Sequence, residues 1–360
     1  MNRGFWRGRR IFLTGHTGFK GGWLATWLLE MGALVTGYSL PAETEPSYFQ
    51  LCNLDRKLVS VTGDIQDRRS LETAITRSQP EIIFHLAAQP LVRRSYREPL
   101  LTLAVNVMGT ANVLEIARNI DSVKAIVAVT SDKCYENREW LWGYREDEAL
   151  GGRDPYSASK ACAELVTSAY SRSFFDRPES PTACATARAG NVIGGGDWAG
   201  DRLVPDAIRA LTRDRPVILR NPAAVRPWQH VLEPLSGYLR LAELLATEGA
   251  PWNGAWNFGP AEESVISTSA LLDLVFHMWG KGEWNAGDNA GAPHEARSLR
   301  LDCSKARELL GWRPRLTIVD AARITVDWYR QALLSEPGDM YAFSAAQIHS
   351  YENLMTKSRG

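Results

Sequence analysis

The segment Thr14-Gly15-His16-Thr17-Gly18-Phe19-Lys20-Gly21 constrains this chain most. It follows the apolar run Ile11-Phe12-Leu13, which reads as a strand, and it leads into the helical pattern Leu24 to Leu29. Glycines at 15, 18 and 21 let the backbone turn tightly between strand and helix. They also let a phosphate approach the positive end of that helix. A strand, glycine turn and helix in this order start a dinucleotide-binding sheet. Gly15, Thr17, Gly18, Phe19, Lys20 and Gly21 are therefore candidate cofactor contacts.

The alternation continues through the first half of the chain. Leu34-Val35-Thr36, Val59-Ser60-Val61, Ile82 to Leu86, Ala125 to Val129 and Ala183 to Ala187 read as strands, with helical spacing such as Val105 to Ala117 between them. Strands apolar on both faces and separated by helices predict an α/β fold, a Rossmann-type doubly wound parallel sheet. The texture changes after Gly190. Gly194 to Trp198 reads as a loop, Pro205 to Thr212 as a helix, Asn221 to Gln229 as a Pro- and Arg-rich loop, and Trp252 to Pro260 as irregular. From Val265 to Trp328 helices mix with short strands. We expect residues 1–192 and 229–259 to form an NAD-binding Rossmann domain. Residues 193–228 and 260–360 are expected to form a smaller, mixed α/β carboxyl-terminal region that binds substrate over the ends of the strands. No internal repeat or low-complexity linker separates the two, and Met340 to Gly360 has no evident role.

With 41 basic and 41 acidic residues, the chain has no global field to attract nucleic acid or an anionic membrane. No apolar run reaches the length of a membrane span, and the apolar stretch near Met1 is too short for a signal peptide. The five cysteines are scattered without C-x-x-C spacing, which predicts reduced thiols in a cytoplasmic protein with no zinc site. Most of the 13 tryptophans are expected in the core.

The end of the second strand, Tyr38-Ser39-Leu40-Pro41, has no carboxylate for an adenosine ribose and no arginine for a 2′-phosphate, so NAD is favoured over NADP. Asp64, in Gly63-Asp64-Ile65, either meets the adenine or caps its own loop.

Asp154-Pro155 suits the start of a helix. It sets Tyr156 and Lys160 on one face, one turn apart. A phenol has a pKa of ~10, and a neighbouring ammonium lowers it, so the pair suits proton removal from a hydroxyl during hydride transfer. Thr130-Ser131-Asp132-Lys133 at the end of a predicted strand adds a carboxyl and a second amine. Oxidation needs only Tyr and Lys; an additional acid/base pair points to a second step, loss of water.

Joined to the glycine loop, these segments resemble the extended short-chain dehydrogenase/reductase family. Within it, the chain is similar to nucleotide-sugar 4,6-dehydratases of the CDP-glucose branch. The likeness runs over nearly the whole chain, through Gly15 to Leu24, His85 to Arg93, Thr130 to Asn137, Arg188 to Trp198 and Arg226 to Val231. It implies that CDP-glucose is oxidised at C4 by NAD, loses water across C5 and C6, and takes hydride back at C6. It also implies deoxysugar biosynthesis of the kind that supplies lipopolysaccharide O-antigen. Tyr156, helped by Lys160 and Ser131, is the implied base for the 4-hydroxyl and Asp132 the acid.

Many such dehydratases carry Glu where this chain has Lys133. A lysine base must be neutral, and moving it from ~10.4 to neutrality needs roughly 4–5 kcal/mol of charge destabilisation. Lys133 is therefore read as the C5 base or, alternatively, as a substrate-binding cation. The resemblance adds Ile65, Leu86, Ala87 and Ala88 to the cofactor contacts. It implies substrate contacts at Gln89, Arg93, Asn191, Arg202, Leu203, Arg220, Arg226 and His294, of which Arg226, Arg220 and Asn191 suit a diphosphate by their own chemistry. It implies a homodimer or homotetramer joined through the Tyr156 helix and the Val105 to Ala117 helix. A nucleotide-sugar 4-epimerase, a 4,6-dehydratase for another nucleotide sugar and a catalytically silent NAD-binding module remain as alternatives.

Overall fold

A computed structural model describes residues 1–177, 180–287, 298–334 and 340–357. Its strands are β1 (Arg10–Thr14), β2 (Leu34–Ser39), β3 (Val59–Thr62), β4 (Ile82–His85), β5 (Ala125–Val129), β6 (Ala183–Ala189), β7 (Val192–Ile193), β8 (Val217–Leu219), β9 (Val225–Pro227), β10 (Gln229–His230), β11 (Gly254–Phe258), β12 (Val265–Ser267) and β13 (Trp284–Ala286). Seven of them form one parallel sheet in the order β11-β6-β5-β4-β1-β2-β3. The order reverses beside β1, which opens the crevice where ligands of such sheets bind.

Side chains alternate across a strand, and both faces of this sheet are buried. Ile11, Leu13, Phe84, Val127 and Val129 join one hydrophobic cluster, while Phe12, Ile83 and Ile126 join another. That is why these strands read as continuous apolar runs. Trp6, Trp23, Trp27, Trp256 and Trp328 are fully buried, in keeping with the core reading of most tryptophans. All five cysteines are unpaired.

The stretch 252–260, read as irregular, instead supplies β11, the seventh strand of the sheet. Its Gly, Trp and Asn residues hide the apolar signature, and its stability comes from pairing along β6 and from burial of Trp256 and Phe258. The loop reading of 221–229 also needs correcting, because β9 pairs antiparallel with β12 and β10 pairs parallel with β7. Helix Met340–Lys357 packs on helix Phe19–Glu30, with Trp27 Nε1 donating to Glu352 at 3.0 Å and the Trp27 and Tyr351 rings edge to face. The carboxyl-terminal segment thus braces the helix that follows the glycine loop.

Among the described residues one helical run, Pro99–Ala117, is long and apolar enough by length and composition to cross a membrane, although none was expected. It contains a π turn at Ala104–Met108. There the buried Asn106 accepts from Gln89 N at 2.8 Å and donates to Ser159 Oγ at 2.8 Å, which ties the run to helix Pro155–Tyr170. Its exposed apolar residues include Leu100, 80% exposed, and Met108, and on the neighbouring helix Leu165 is 58% exposed.

Candidate active site

The carboxyl ends of β1 to β6 open into one cleft of about 850 Å³. Gly15, Thr17, Gly18, Phe19, Lys20, Gly21, Asp64, Ile65, Leu86, Ala87 and Ala88 line one part of it. Arg93, Asn191, Arg202, Leu203, Arg220 and Arg226 line another, with Ser131, Asp132, Lys133, Tyr156 and Lys160 in the same cleft.

The glycine loop fits a dinucleotide by its shape. Gly15 has φ +78, and a Cβ there would lie 2.8 Å from Ala87 N. A Cβ at Gly21 would lie 2.0 Å from Gly15 O. Backbone therefore packs on backbone, and helix Phe19–Glu30 starts directly at Gly18 with its positive end at the cleft. Thr17 Oγ1 bridges to Ser39 Oγ at 2.8 Å and Leu40 O at 2.9 Å, which fixes the loop against the end of β2. Asp64 lines the cleft and also accepts from Gln66 N at 2.8 Å, so it caps its own loop as well.

Tyr156 and Lys160 stand on helix Pro155–Tyr170, whose start follows the sequence: Asp154 accepts from Ser157 N at 2.9 Å and Pro155 occupies the first turn. Both side chains are buried. Burial pushes the Tyr156 phenol up to about 12, opposed first by a hydrogen bond from Ser131; the Asp132 carboxyl adds to the rise and the Arg202 charge reduces it. The expected depression of the phenol by Lys160 does not arise: the groups that lower it are Ser131 and Arg202, and burial outweighs both. Burial draws Lys160 down to about 8, with Glu164 and then Cys134 pulling it back. Its ammonium donates to Val129 O at 3.2 Å.

Ser131, two residues after β5, caps the short turn Asp132–Cys134, accepting from Lys133 N at 3.2 Å and donating to Asp132 Oδ1 at 3.0 Å. Burial raises the Asp132 carboxyl above its usual range, against the opposing charge of Lys133 and the Ser131 hydrogen bond. A buried carboxyl held toward its neutral form can donate a proton. Lys133 is half-buried and lines the cleft. Lys20 is drawn down to about 8, first by burial and then by Arg202, with Asp132 opposing. Its ammonium therefore lies in the field of the reacting groups as well as in the glycine loop.

The substrate candidates divide. Arg93 and Arg220 both approach Asp201, at 3.6 and 3.5 Å, and Arg202 pairs with Asp197 at 2.7 Å. Arg226 donates to its neighbour Val225 O at 2.9 Å. Gln89 does not line the cleft. Its side chain is used within its own loop, donating to Leu91 O at 3.1 Å and Thr102 Oγ1 at 2.9 Å and accepting from Leu91 N at 2.6 Å. His294 lies outside the described residues. Among the described residues no group of three or more His, Cys, Asp or Glu side chains is placed to hold a metal ion.

Two residues escaped sequence reasoning. Glu164 and Arg188 form an ion pair at 2.8 Å, each only 3% exposed, beneath Lys160 and Thr130. The signal for Glu164 was its place on the same helical face, one turn beyond Lys160. Arg188 was hidden in a strand that otherwise reads as apolar.

Residues 12–248 match the family model described as GDP-mannose 4,6 dehydratase. The chain is 49% identical over 360 residues to CDP-glucose 4,6-dehydratase of Salmonella typhimurium, covering 99% of this chain and 100% of that protein. Among solved structures, UDP-glucose 4-epimerase of Thermotoga maritima with UDP-glucose aligns with a TM-score of 0.76 at 25% identity, over 90% of this chain and 99% of that one. A dTDP-glucose 4,6-dehydratase of Bacillus anthracis in complex with NAD shares the fold, with a TM-score of 0.74 at 20% identity over 90% of this chain and 97% of that one. Glycine loop, Tyr/Lys helix and Asp132-Lys133 turn come together in one cleft, and by these likenesses the chain belongs to the nucleotide-sugar 4,6-dehydratase family.

Proposed function

We propose that this protein is an NAD-dependent CDP-glucose 4,6-dehydratase, a hydro-lyase that yields CDP-4-keto-6-deoxyglucose. The observation that carries this reading is Asp132, a buried carboxyl raised above its usual range, in the same cleft as Tyr156 and Lys160. An epimerase uses the Tyr/Lys pair but has no step that needs this acid.

Gly15, Thr17, Gly18, Phe19, Lys20, Gly21, Asp64, Ile65, Leu86, Ala87 and Ala88 would hold NAD, which would supply a temporary hydride acceptor between C4 and C6. Tyr156, as its phenolate, takes the proton of the 4-hydroxyl, and the Lys160 ammonium stabilises that phenolate before the transfer. Ser131 positions both Tyr156 and Asp132. With C4 oxidised, the C5 proton becomes acidic. Lys133 removes it while Asp132 hands a proton to the departing 6-hydroxyl, and the Lys133 ammonium gives a proton back to C5 when hydride returns to C6. Arg226, Arg220 and Asn191 face the diphosphate, with Arg93, Arg202 and Leu203 as further substrate contacts. In this reading 1–192 with 229–259 serve the dinucleotide, and 193–228 with 260–360 serve the nucleotide sugar. The protein works in the cytoplasm as a homodimer or homotetramer, with the exposed Leu100, Met108 and Leu165 covered by a second copy. Its product enters deoxysugar synthesis for lipopolysaccharide O-antigen.

Incubation with CDP-glucose, dTDP-glucose or GDP-mannose, followed by mass spectrometry, tests the reading. Loss of one water from CDP-glucose alone is expected. An isomer of unchanged mass would identify an epimerase instead.

A further inference from the structure

Beneath the catalytic groups lies a buried ionic cluster that the reaction steps do not use. Tyr156, Lys160 and Glu164 are spaced four residues apart, so they share one face of helix Pro155–Tyr170. The Glu164 carboxylate accepts from Thr186 Oγ1 at 2.7 Å and Arg188 Nη2 at 2.8 Å, and from Thr130 Oγ1 by a short hydrogen bond. Thr186 and Arg188 belong to β6, and Thr130 is the residue before Ser131. Arg188 Nη1 in turn donates to Tyr135 OH at 2.7 Å and to Glu146 O at 3.0 Å, with its guanidinium 4.8 Å from the Tyr135 ring centroid. One carboxylate thus ties the Tyr156 helix to β6 and to the end of β5, on either side of the turn that carries Asp132 and Lys133.

A buried ion pair is no simple gain in stability, because both charges leave water. Its position suggests another use. We propose that Glu164 is a positioning residue for this reaction: it supplies the counter-charge of the Lys160 ammonium and clamps Thr130 so that Ser131 and Asp132 face Tyr156. The proposal rests on the Tyr156/Lys160 reading of the reaction.

Several other groups act on Lys160. Val129 O accepts from its ammonium, Cys134 lies on the adjoining turn, and His85 of β4 and Lys20 of the glycine loop feel its charge. His85 is drawn down to about 3 by burial and is neutral at working pH. Lys20 is a cation and opposes charging of Lys160. Among these, Glu164 is the first cause that favours the ammonium. Removing its charge therefore lets Lys160 lose its proton at lower pH.

The test compares wild type, Glu164→Gln and the double variant Glu164→Gln/Arg188→Met, which removes the Arg188 guanidinium that the single change would leave without its carboxylate, should that change fail to fold. The alkaline limb of kcat is expected to move to lower pH by about one unit, the size a nearby opposite charge produces. Lys160→Arg should abolish that limb. A limb that survives in Lys160→Arg belongs to another group and would overturn the Tyr156/Lys160 reading itself. If Lys160→Arg removes the limb while the folded double variant keeps it at the wild-type pH, Glu164 is only structural. A readout without turnover uses lysine labelled with 13C at Cε in the protein free of nucleotides, the Lys160 signal being identified by its loss in Lys160→Arg. Its titration should shift to lower pH in the double variant, and an unshifted titration would also overturn the proposal.

Discussion

The glycine loop permits a sharp test, because two of its glycines differ in what surrounds them. At Gly21 a methyl group would meet Gly15 O at 2.0 Å, Gly15 C at 2.7 Å and His16 Cα at 2.9 Å, all of them backbone. Ordinary contact begins at 3.4 Å, so helix Phe19–Glu30 and the loop must part by well over an ångström. Overpacking of this kind costs about 1–3 kcal/mol. The better helix propensity of alanine returns up to about 1 kcal/mol. Gly21→Ala should therefore lower Tm by roughly 1–3 °C. It should also weaken NAD about tenfold or more, since a loss of ~1.4 kcal/mol in the bound loop geometry corresponds to one decade.

Gly18 is the control. Its φ is −80, and a methyl there meets nothing closer than Gly15 O at 3.4 Å. Gly18→Ala changes folding by less than about 1 kcal/mol, the difference between two N-cap residues. Because Gly18 lines the cleft at the helix start, the variant should lose NAD affinity while keeping its Tm. Thermal unfolding of protein stripped of nucleotide, with titration calorimetry for NAD, separates the two effects. Wild-type Tm and wild-type affinity in Gly21→Ala would refute the packing argument.

Further predictions concern the reacting groups and the surface. Tyr156→Phe should lose C4 oxidation and all later steps, whereas Asp132→Asn should oxidise CDP-glucose and then accumulate NADH absorbance, with kcat down about 10²–10⁴-fold for loss of a general acid. Lys133→Met should stall at the same stage if Lys133 is the base; a raised KM with normal kcat would make it a substrate-binding cation instead. Because Lys160 falls from 10.5 to about 8 on folding, the unfolded chain binds more protons between those values. Wild type should gain stability relative to Lys160→Met as pH rises through that window, as measured by denaturant unfolding. Leu100→Asp combined with Leu165→Asp should reduce the oligomer to monomer in size-exclusion chromatography with light scattering; an unchanged mass would move the interface elsewhere.

Much of this molecule was legible before folding was considered. The glycine spacing after Ile11-Phe12-Leu13 and the apolar strands that follow can be satisfied only by a sheet buried on both faces, with a ligand at the first turn. Asp154-Pro155 announced the helix that presents Tyr156 and Lys160, since capping and proline chemistry are local. Local chemistry could not reveal β11, because its Gly254, Trp256 and Asn257 become a strand only by pairing with β6. Nor could it exclude Gln89 from the cleft, for its side chain is used by partners at Leu91 and Thr102 and its backbone by Asn106.

The protonation of the site was decided by tertiary structure as well. Composition lists a tyrosine, two lysines and an aspartate, but their proton affinities depend on burial and on neighbours brought from distant segments. Asp132 rises and Lys160 falls because the fold removes both from water, and Glu164, already one turn from Lys160, reaches Thr130 and Arg188 only once helix, β5 and β6 have packed. The sequence by itself determined which groups are present and on which local element each stands. Only the fold set their distances and their dielectric surroundings, and with those their charges.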